Sequence, residues 1–464
     1  MDTIIKNGTI VNADSILEGD VLIQHGIIAH IGKDLQSPGT EVIDATDRYV
    51  MPGGVDVHTH LNMDIGIAVS QDDFFTGTKA ASFGGTTCIV DYPGFGPEGC
   101  NLNSQILLYH GYARDNAVID YAFHGIFQHV NHAVLDEIKT IVSEGIPSFK
   151  GYLTYDYGLK DLDVLSLLDA VSISGGLFAV HAENDDIIRF MRDRFLRENK
   201  TSPRYHAMSR PERCEAEAVN RMIQLAATAG NAPLYIVHLS TAMGLDSIKT
   251  ARAEGQHVFA ETCPQYLFLN EERYDEPEYN GLKYIMSPPL RTKKNSSALW
   301  EGIIEGHIDV IATDHCPFDF SKKLQMGKDN FTKCPGGIPG IELRIPLMFS
   351  EGVMKERIPL NRFVEITATA PARIMGLHPR KGEILEGADA DIIIINPNHH
   401  CVVTHEMLHE NVDFTPYEGM KLQGWPELTM VRGRTIVKDG IFYGEKGYGE
   451  FIKRKIKKIH HRVR

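Results

Sequence analysis

Eight short apolar runs recur between residues 53 and 316, most of them separated by stretches long enough to hold a helix. They are GGVDVHTHL (53–61), TTCIVDY (86–92), VIDYAFHG (118–125), IPSFK (146–150), LFAVHAEN (177–184), LYIVHLS (234–240), HVFAETC (257–263) and DVIATDHC (309–316). Amphipathic patterns such as AVLDEIKTIVSEG and CEAEAVNRMIQLAATAG fall between them. Strand–helix alternation of this kind predicts an α/β chain folded as a (β/α)8 TIM-like barrel, here over residues 51–375. The two chain ends have another texture. Residues 1–50 and 376–444 alternate strand-like runs with turn signals, as in TIIKNGTIVNA and MVRGRTIVKDGIF. Neither block is long enough to bury a good core alone, so both are expected to build one small β-sandwich with the barrel inserted between them.

At 464 residues with a net charge of −14, the chain disfavours nucleic acid and anionic membranes as partners. No segment approaches the ~20 apolar residues of a membrane span, and the N-terminus does not read as a signal peptide. Seven cysteines form no CxxC pair, which suits a reducing cytoplasm. The exception to the acidic balance is the tail, residues 445–464, whose last fourteen residues hold seven Lys or Arg and no acid. We read it as an arm lying on an acidic surface of the protein's own oligomer.

Polar residues gather where the apolar runs end: His58, His60, Asp91, His124, Lys150, His181, His238, Glu261 and Asp314. In a barrel these ends converge on one mouth, where active sites lie. His58 and His60 share one face of an extended strand. Four imidazoles and the Asp314 carboxylate aimed at one mouth suit divalent zinc, with manganese or cobalt as other occupants. Lys150 is the puzzle, because it ends the run in GIPSFKGYLTYDYG (145–158). Lysine is almost never buried unpaired, and a free ammonium cannot ligate a metal; the ordinary reading is a solvent-facing loop residue. Two divalent ions in one small site, however, carry more charge than one aspartate balances. Addition of carbon dioxide turns the Lys150 amine into a carbamate (N6-carboxylysine), an anionic ligand able to bridge both ions.

The segments GGVDVHTH, DDFFTGTKAASFGGTT, SFKGYLTY, VHAEND, SRPERCEAEAV, GNAPLYIVHLS, ETCPQYL, SPPLR, ATDHCPF and PGIE carry a resemblance that runs to about residue 444. They resemble the hydantoinase/dihydropyrimidinase branch of the metal-dependent amidohydrolases, most closely its phenylhydantoinase type. The resemblance implies that His58, His60, Lys150 and Asp314 hold one metal, and that Lys150, His181 and His238 hold the other. It implies Asp314 as general base and then acid, Tyr155 as donor to the developing oxyanion, and a homotetramer or dimer as the assembly. Backbone near Ser287 and Gly336 is expected to hold the ureide edge of a cyclic substrate; the family usually carries Asn where this chain has Gly336. Met63, Ile65, Phe95, Tyr152 and Tyr157, in loops over the mouth, offer an apolar wall for an exocyclic group.

The expected activity is therefore opening of 5-substituted hydantoins, aromatic ones preferred, to N-carbamoyl amino acids. Dihydropyrimidinase or allantoinase activity on the same scaffold is the alternative. A non-catalytic scaffold relative is remote, because all six expected ligands are present. GFGPEG (94–99) matches a dinucleotide-binding pattern, but Pro97 and the metal context argue against that use. His124, His129 and His132 read as supporting or packing residues, Asp91 and Glu261 as strand-end supports. His315 and Cys316 flank Asp314, and adjacent strand residues point apart.

Overall fold

The computed structural model describes residues 2–457. The barrel strands are β1 (Gly54–Thr59), β2 (Thr86–Asp91), β3 (Asp120–Phe123), β4 (Ser148–Tyr152), β5 (Leu177–His181), β6 (Leu234–Ile236), β7 (Val258–Thr262) and β8 (Val310–Ile311). They pair in parallel from β1 to β3 and from β4 to β8, and Gly125–Ile126, just past β3, pairs with β4. Both faces of the sheet are covered, which is why the runs read as nearly continuous apolar segments. Val55, Val57, Ala122, Ala179, Tyr235 and Val310 pack in one cluster, while Phe149, Phe178, Val180, Leu234 and Ile236 join the larger cluster beneath the helices.

Closure of the ring is made by β1 and the segment after β8. Thr59 bridges His315, and the Asp314 N–H donates to the His58 carbonyl at 2.9 Å. Beneath this seam Thr313 Oγ1 donates to Asp56 Oδ2 at 2.7 Å. The buried Arg344 guanidinium donates to the carbonyls of Ile311 and Thr367 at 3.0 and 3.1 Å.

The chain ends form one continuous nine-stranded sheet. The N-terminal block joins the C-terminal one where Tyr49–Pro52 runs antiparallel to Ile392–Val402. Ile5, Ile10, Val21, Ile28, Ile392 and Met430 share a core there, so neither block closes an apolar interior by itself. The described part of the basic tail lies on its own barrel. Tyr121 N–H donates to Glu450 O (2.9 Å), Ile452 N–H to Tyr121 O (2.8 Å) and Arg454 N–H to Gly145 O (2.9 Å). Residues 458–464 of the expected arm lie outside the described residues. Among the described residues no helix is long and apolar enough to cross a membrane.

One buried cation ties the two units together. Lys381 Nζ contacts Asp120 at the start of β3, and Asp389 and Asp391 ahead of the terminal sheet at 2.8 and 2.7 Å. These three carboxylates cluster closely enough to suggest a cation site, and the ammonium fills it. Breaking a buried ion pair leaves an uncompensated charge, which costs about 3–5 kcal/mol. Lys381→Ala is therefore expected to lower stability against urea by about that amount. A loss below about 1 kcal/mol would show that the carboxylates are neutralised some other way.

Candidate metal centre and substrate pocket

The barrel brings the expected ligands together at its mouth from five strands. His58 lies near the end of β1 and His60 just past it; Lys150 sits inside β4 and His181 closes β5. His238 and Asp314 lie beyond β6 and β8, on backbone with φ of 38° and 54°. Left-handed φ is uncommon outside glycine and costs conformational energy, and such residues concentrate at functional sites. Ligand atoms of His58, His238 and Asp314 all lie within 4.8 Å of one another. Asp314 Oδ1 is 3.1 Å from His58 Nε2 and 3.2 Å from His60 Nε2. Lys150 Nζ is 2.9 Å from His58 Nε2, and His181 Nδ1 is 2.9 Å from His238 Nε2.

Buried carboxylates fix which imidazole nitrogen faces the cluster. Glu261 Oε1 lies 2.6 Å from His58 Nδ1, and an ionised carboxylate only accepts, so the ring proton sits on Nδ1 and the Nε2 lone pair points inward. Glu183 Oε2, 2.9 Å from His181 Nε2, leaves that ring's Nδ1 lone pair facing His238. Carboxylate–imidazole pairs of this kind orient metal-binding histidines. Glu261 also accepts the His238 N–H at 2.9 Å and the Tyr235 hydroxyl at 2.9 Å.

The electrostatics ask for a cation. Burial, with neighbouring positive groups, lowers His181, puts His238 well below its usual value and brings His60 to about 4, so these rings stay neutral. At His58, burial and the Lys150 charge are outweighed by Glu261 and Asp314, which raise it. Burial would raise Asp314, but His58, His60 and His238 hold it well below the carboxylate range. Lys150 is 1% exposed, and burial lowers it to about 8. Its Nζ stands 4.3 Å from the Tyr92 ring centroid. His60 Nδ1 is buried without a partner. Neutral imidazoles at His60, His181 and His238, two carboxylates beside His58 and a buried amine without a close carboxylate fit a divalent-metal centre. The donor set of nitrogen and oxygen suits zinc-like ions.

Above the cluster opens a cavity of about 680 Å3. Met63, Ile65, Phe95, Tyr152, Tyr155, Tyr157, Ser287 and Gly336 all line it, with His60, Lys150, His181, His238 and Asp314 at its base; His58 lies buried beneath. Phe95 stacks on Tyr157 with centroids 3.9 Å apart and tilts toward Tyr152 at 5.2 Å. Tyr155 is held at φ 69°, is 40% exposed and lines the cavity together with Ser287. A Cβ built on Gly336 would meet nothing within 4 Å, so a side chain there has room.

Several supporting residues escaped the sequence. Glu183 stands two residues past His181, and Arg210, from a helix end far along the chain, pairs with it. Although burial opposes ionisation, Arg210 and His181 bring Glu183 down to about 2. The acidic residue two beyond a strand-end histidine, in VHAEND, was a signal available to sequence reading. Tyr92 carried none: its ring packs 4.7 Å from His58 and 5.7 Å from His60. Asp91 supports the β1 end, accepting from Thr59 Oγ1 at 2.7 Å and Leu61 N at 3.0 Å. His124 is buried beneath the site, whereas His129 and His132 lie at the surface. His315 points away, 3.0 Å from Asp72.

Residues 49–436 match the Amidohydrolase family. The chain is 54% identical to D-phenylhydantoinase of Escherichia coli (strain K12) over 457 residues, 98% of each sequence. The solved dihydropyrimidinase from Brevibacillus agri NCHU1002 superposes with a TM-score of 0.97 at 43% identity, covering 99% of this chain and all of that one. The L-hydantoinase (dihydropyrimidinase) from Arthrobacter aurescens superposes with a TM-score of 0.89 at 30% identity, covering 98% of this chain and 100% of the other. With the barrel, its terminal sheet and the histidine-rich mouth in place, these similarities establish that the chain belongs to the amidohydrolase family.

Proposed function

We propose that this protein is a cyclic amidase that opens the ring amide of 5-substituted hydantoins to N-carbamoyl amino acids. The observation that carries the reading is the buried cluster of His58, His60, Lys150, His181, His238 and Asp314 at the base of a cavity with an aromatic wall. His58, His60, Lys150 and Asp314 would hold one ion, and Lys150, His181 and His238 a second. Zinc suits the set, and manganese or cobalt can replace it. When bound, the ions polarise the ring carbonyl and make water a nucleophile at neutral pH. Lys150 would serve as N6-carboxylysine: a pKa near 8 leaves part of the amine neutral, the form that adds carbon dioxide.

The chain's own groups divide the remaining work. Asp314 takes the proton of the attacking water as the carbon–oxygen bond forms, then gives it to the ring nitrogen as the carbon–nitrogen bond breaks. Tyr155 donates its phenol hydrogen to the carbonyl oxygen as charge builds there. Backbone at Ser287 and Gly336 holds the ureide edge. Met63, Ile65, Phe95, Tyr152 and Tyr157 receive the exocyclic group. Action on dihydropyrimidines is the second reading, favoured by the likeness to the solved dihydropyrimidinase. We also read the protein as a cytoplasmic homotetramer or dimer. Leu107, Leu108 and Tyr112 leave an exposed apolar stripe on helix Leu102–Ala113 that suits a subunit contact, and a solution mass of a single chain would overturn it.

Purified protein is expected to carry close to two divalent ions per chain by elemental analysis. Lys150→Ala should lose most of the metal and the activity, and short carboxylic acids should restore part of the turnover. A fully active Lys150→Ala enzyme would exclude the bridging role.

Asp314→Asn is expected to abolish ring opening, since an amide does not shuttle the proton. Tyr155→Phe should keep its metal and lower kcat by roughly 10²–10³, the cost of one oxyanion donor. Equal metal loss in both variants would show that Tyr155 has another job.

Burying a phenyl-sized group contributes roughly 1.5–3 kcal/mol, or about 10- to 150-fold in kcat/KM if it persists in the transition state. 5-Phenylhydantoin should therefore be opened faster than hydantoin, and allantoin, with its polar arm, hardly at all. An allantoin kcat/KM equal to the phenyl compound's would sink the aromatic-wall reading.

A further inference from the structure

The barrel is not hydrogen-bonded all the way round by its own strands. β1–β3 form one sheet, and the other begins at Gly125–Ile126 and β4, so the lower half of the seam between β3 and β4 has no direct ladder. The C-terminal segment fills that gap. It bonds Tyr121 of β3 through Glu450 O and Ile452 N–H, then reaches the loop before β4 through Arg454 N–H and Gly145 O. Ile452 enters the same apolar cluster as Val57, Tyr92 and Tyr152.

Arg454 then does something unusual for an arginine. Its side chain turns inward to 2% exposure, and no carboxylate is among the groups that set its charge; burial lowers it to about 10. It donates through Nη1 to Met375 O at 3.1 Å, and through Nη2 to Phe123 O and to Ser148 Oγ, the last at 2.8 Å. Guanidinium only donates, so Ser148 must accept here and pass its own proton on. Ser148 Oγ lies 2.7 Å from His124 Nδ1, and His124 Nε2 lies 3.1 Å from Val57 O. Every hydrogen bond in the chain thus has one polarity: Arg454 to Ser148, Ser148 to His124, His124 to Val57. Ser148 stands two residues before Lys150, and Val57 immediately precedes His58. His124 also stacks on Tyr92 with centroids 3.8 Å apart, and Tyr92 packs beneath Lys150 and against His58.

We infer that Arg454, carried under the barrel by the C-terminal segment, is a positioning residue for the metal centre, acting through Ser148 and His124 on the strands that present Lys150 and His58. It lies beyond the region that matches the family. The inference rests on the reading of Lys150 and His58 as metal ligands.

Metal affinity of the full-length apo-protein tests it, by titration with Co2+ and Zn2+ against a chelator and by the visible absorption of the Co2+ form. Loss of a group that orients a metal ligand typically weakens affinity about 10- to 100-fold. Arg454→Met is expected to fall in that range and to change the Co2+ spectrum. Ser148→Ala, a smaller lesion that keeps the tail, should move both readouts the same way, and the double variant should be no weaker than the worse single one. Arg454→Lys should recover part of the affinity. Ile10→Ala, a core lesion in the terminal sheet away from the C-terminal segment, should lower stability and leave affinity within about twofold of wild type. Wild-type affinity and spectrum in both Arg454→Met and Ser148→Ala would overturn the inference, as would equal affinity loss in Ile10→Ala. A wild-type protein that binds no ion would overturn the metal reading itself, and this inference with it.

Discussion

The lysine buried between imidazoles is the constraint on which the rest of the structure depends. An ammonium held 2.9 Å from His58 Nε2, with aromatic rings rather than carboxylates around it, is a costly arrangement unless the group changes its chemistry. Nearby carboxylates are committed elsewhere: Glu261 to His58 and Tyr235, Glu183 to His181 and Arg210. Only Asp314 faces the cluster directly, and it is shared between two histidines. The site is thus short of negative charge and rich in nitrogen donors. On the proposed reading, conversion of the Lys150 amine to a carbamate would supply the missing anion.

Holding six such groups in place requires rigidity around them, and the barrel supplies it by layers. Strand ends deliver His58, His60, Lys150 and His181, whose backbone is fixed by parallel ladders. Glutamates orient the rings, and Tyr92 and His124 form a stacked floor below. Preorganisation of this kind matters because ligands fixed before binding lose little entropy when the metal arrives. The aromatic pocket stands on the same strands: Tyr152 ends β4 two residues past Lys150 and touches Phe95. The aromatic cavity wall and the proposed metal ligands therefore share one scaffold.

Much of this was legible in the residues because each strand run ends in a side chain with no reason to be in a core. Period and spacing located the eight strands, and the convergence of a barrel mouth turned distant histidines into neighbours. Two things were hidden for physical reasons. Arg210 reaches Glu183 across sequence distance, and no local pattern announces a long-range ion pair. The burial of Arg454 was hidden because the tail's charge was counted without its surroundings: the residue lies inside the seam, hydrogen-bonded to carbonyls and a serine rather than to acids. Charge composition reports where a side chain prefers to be, and a set of neutral acceptors can override that preference.

His238 and Asp314 show where strand logic stops and loop strain begins. Both lie past the last paired residue of their strands, and both adopt left-handed backbone that an extended strand does not. A regular continuation of β6 would place His238 on the face opposite Tyr235 and Val237, away from the other ligands, whereas alternation after Val310 and Ala312 already brings Asp314 to the inner face. The turn at φ 38° breaks the alternation at His238, and backbone hydrogen bonds hold both residues. His238 N–H is pinned by Glu261, and Asp314 N–H by the His58 carbonyl. His238 and Asp314, the proposed ligand and the proposed proton carrier, are thus held through Glu261 and His58, the same pair that bond each other across the site. The hydrogen bond that fixes Asp314 is also one that closes the barrel between β1 and the segment after β8.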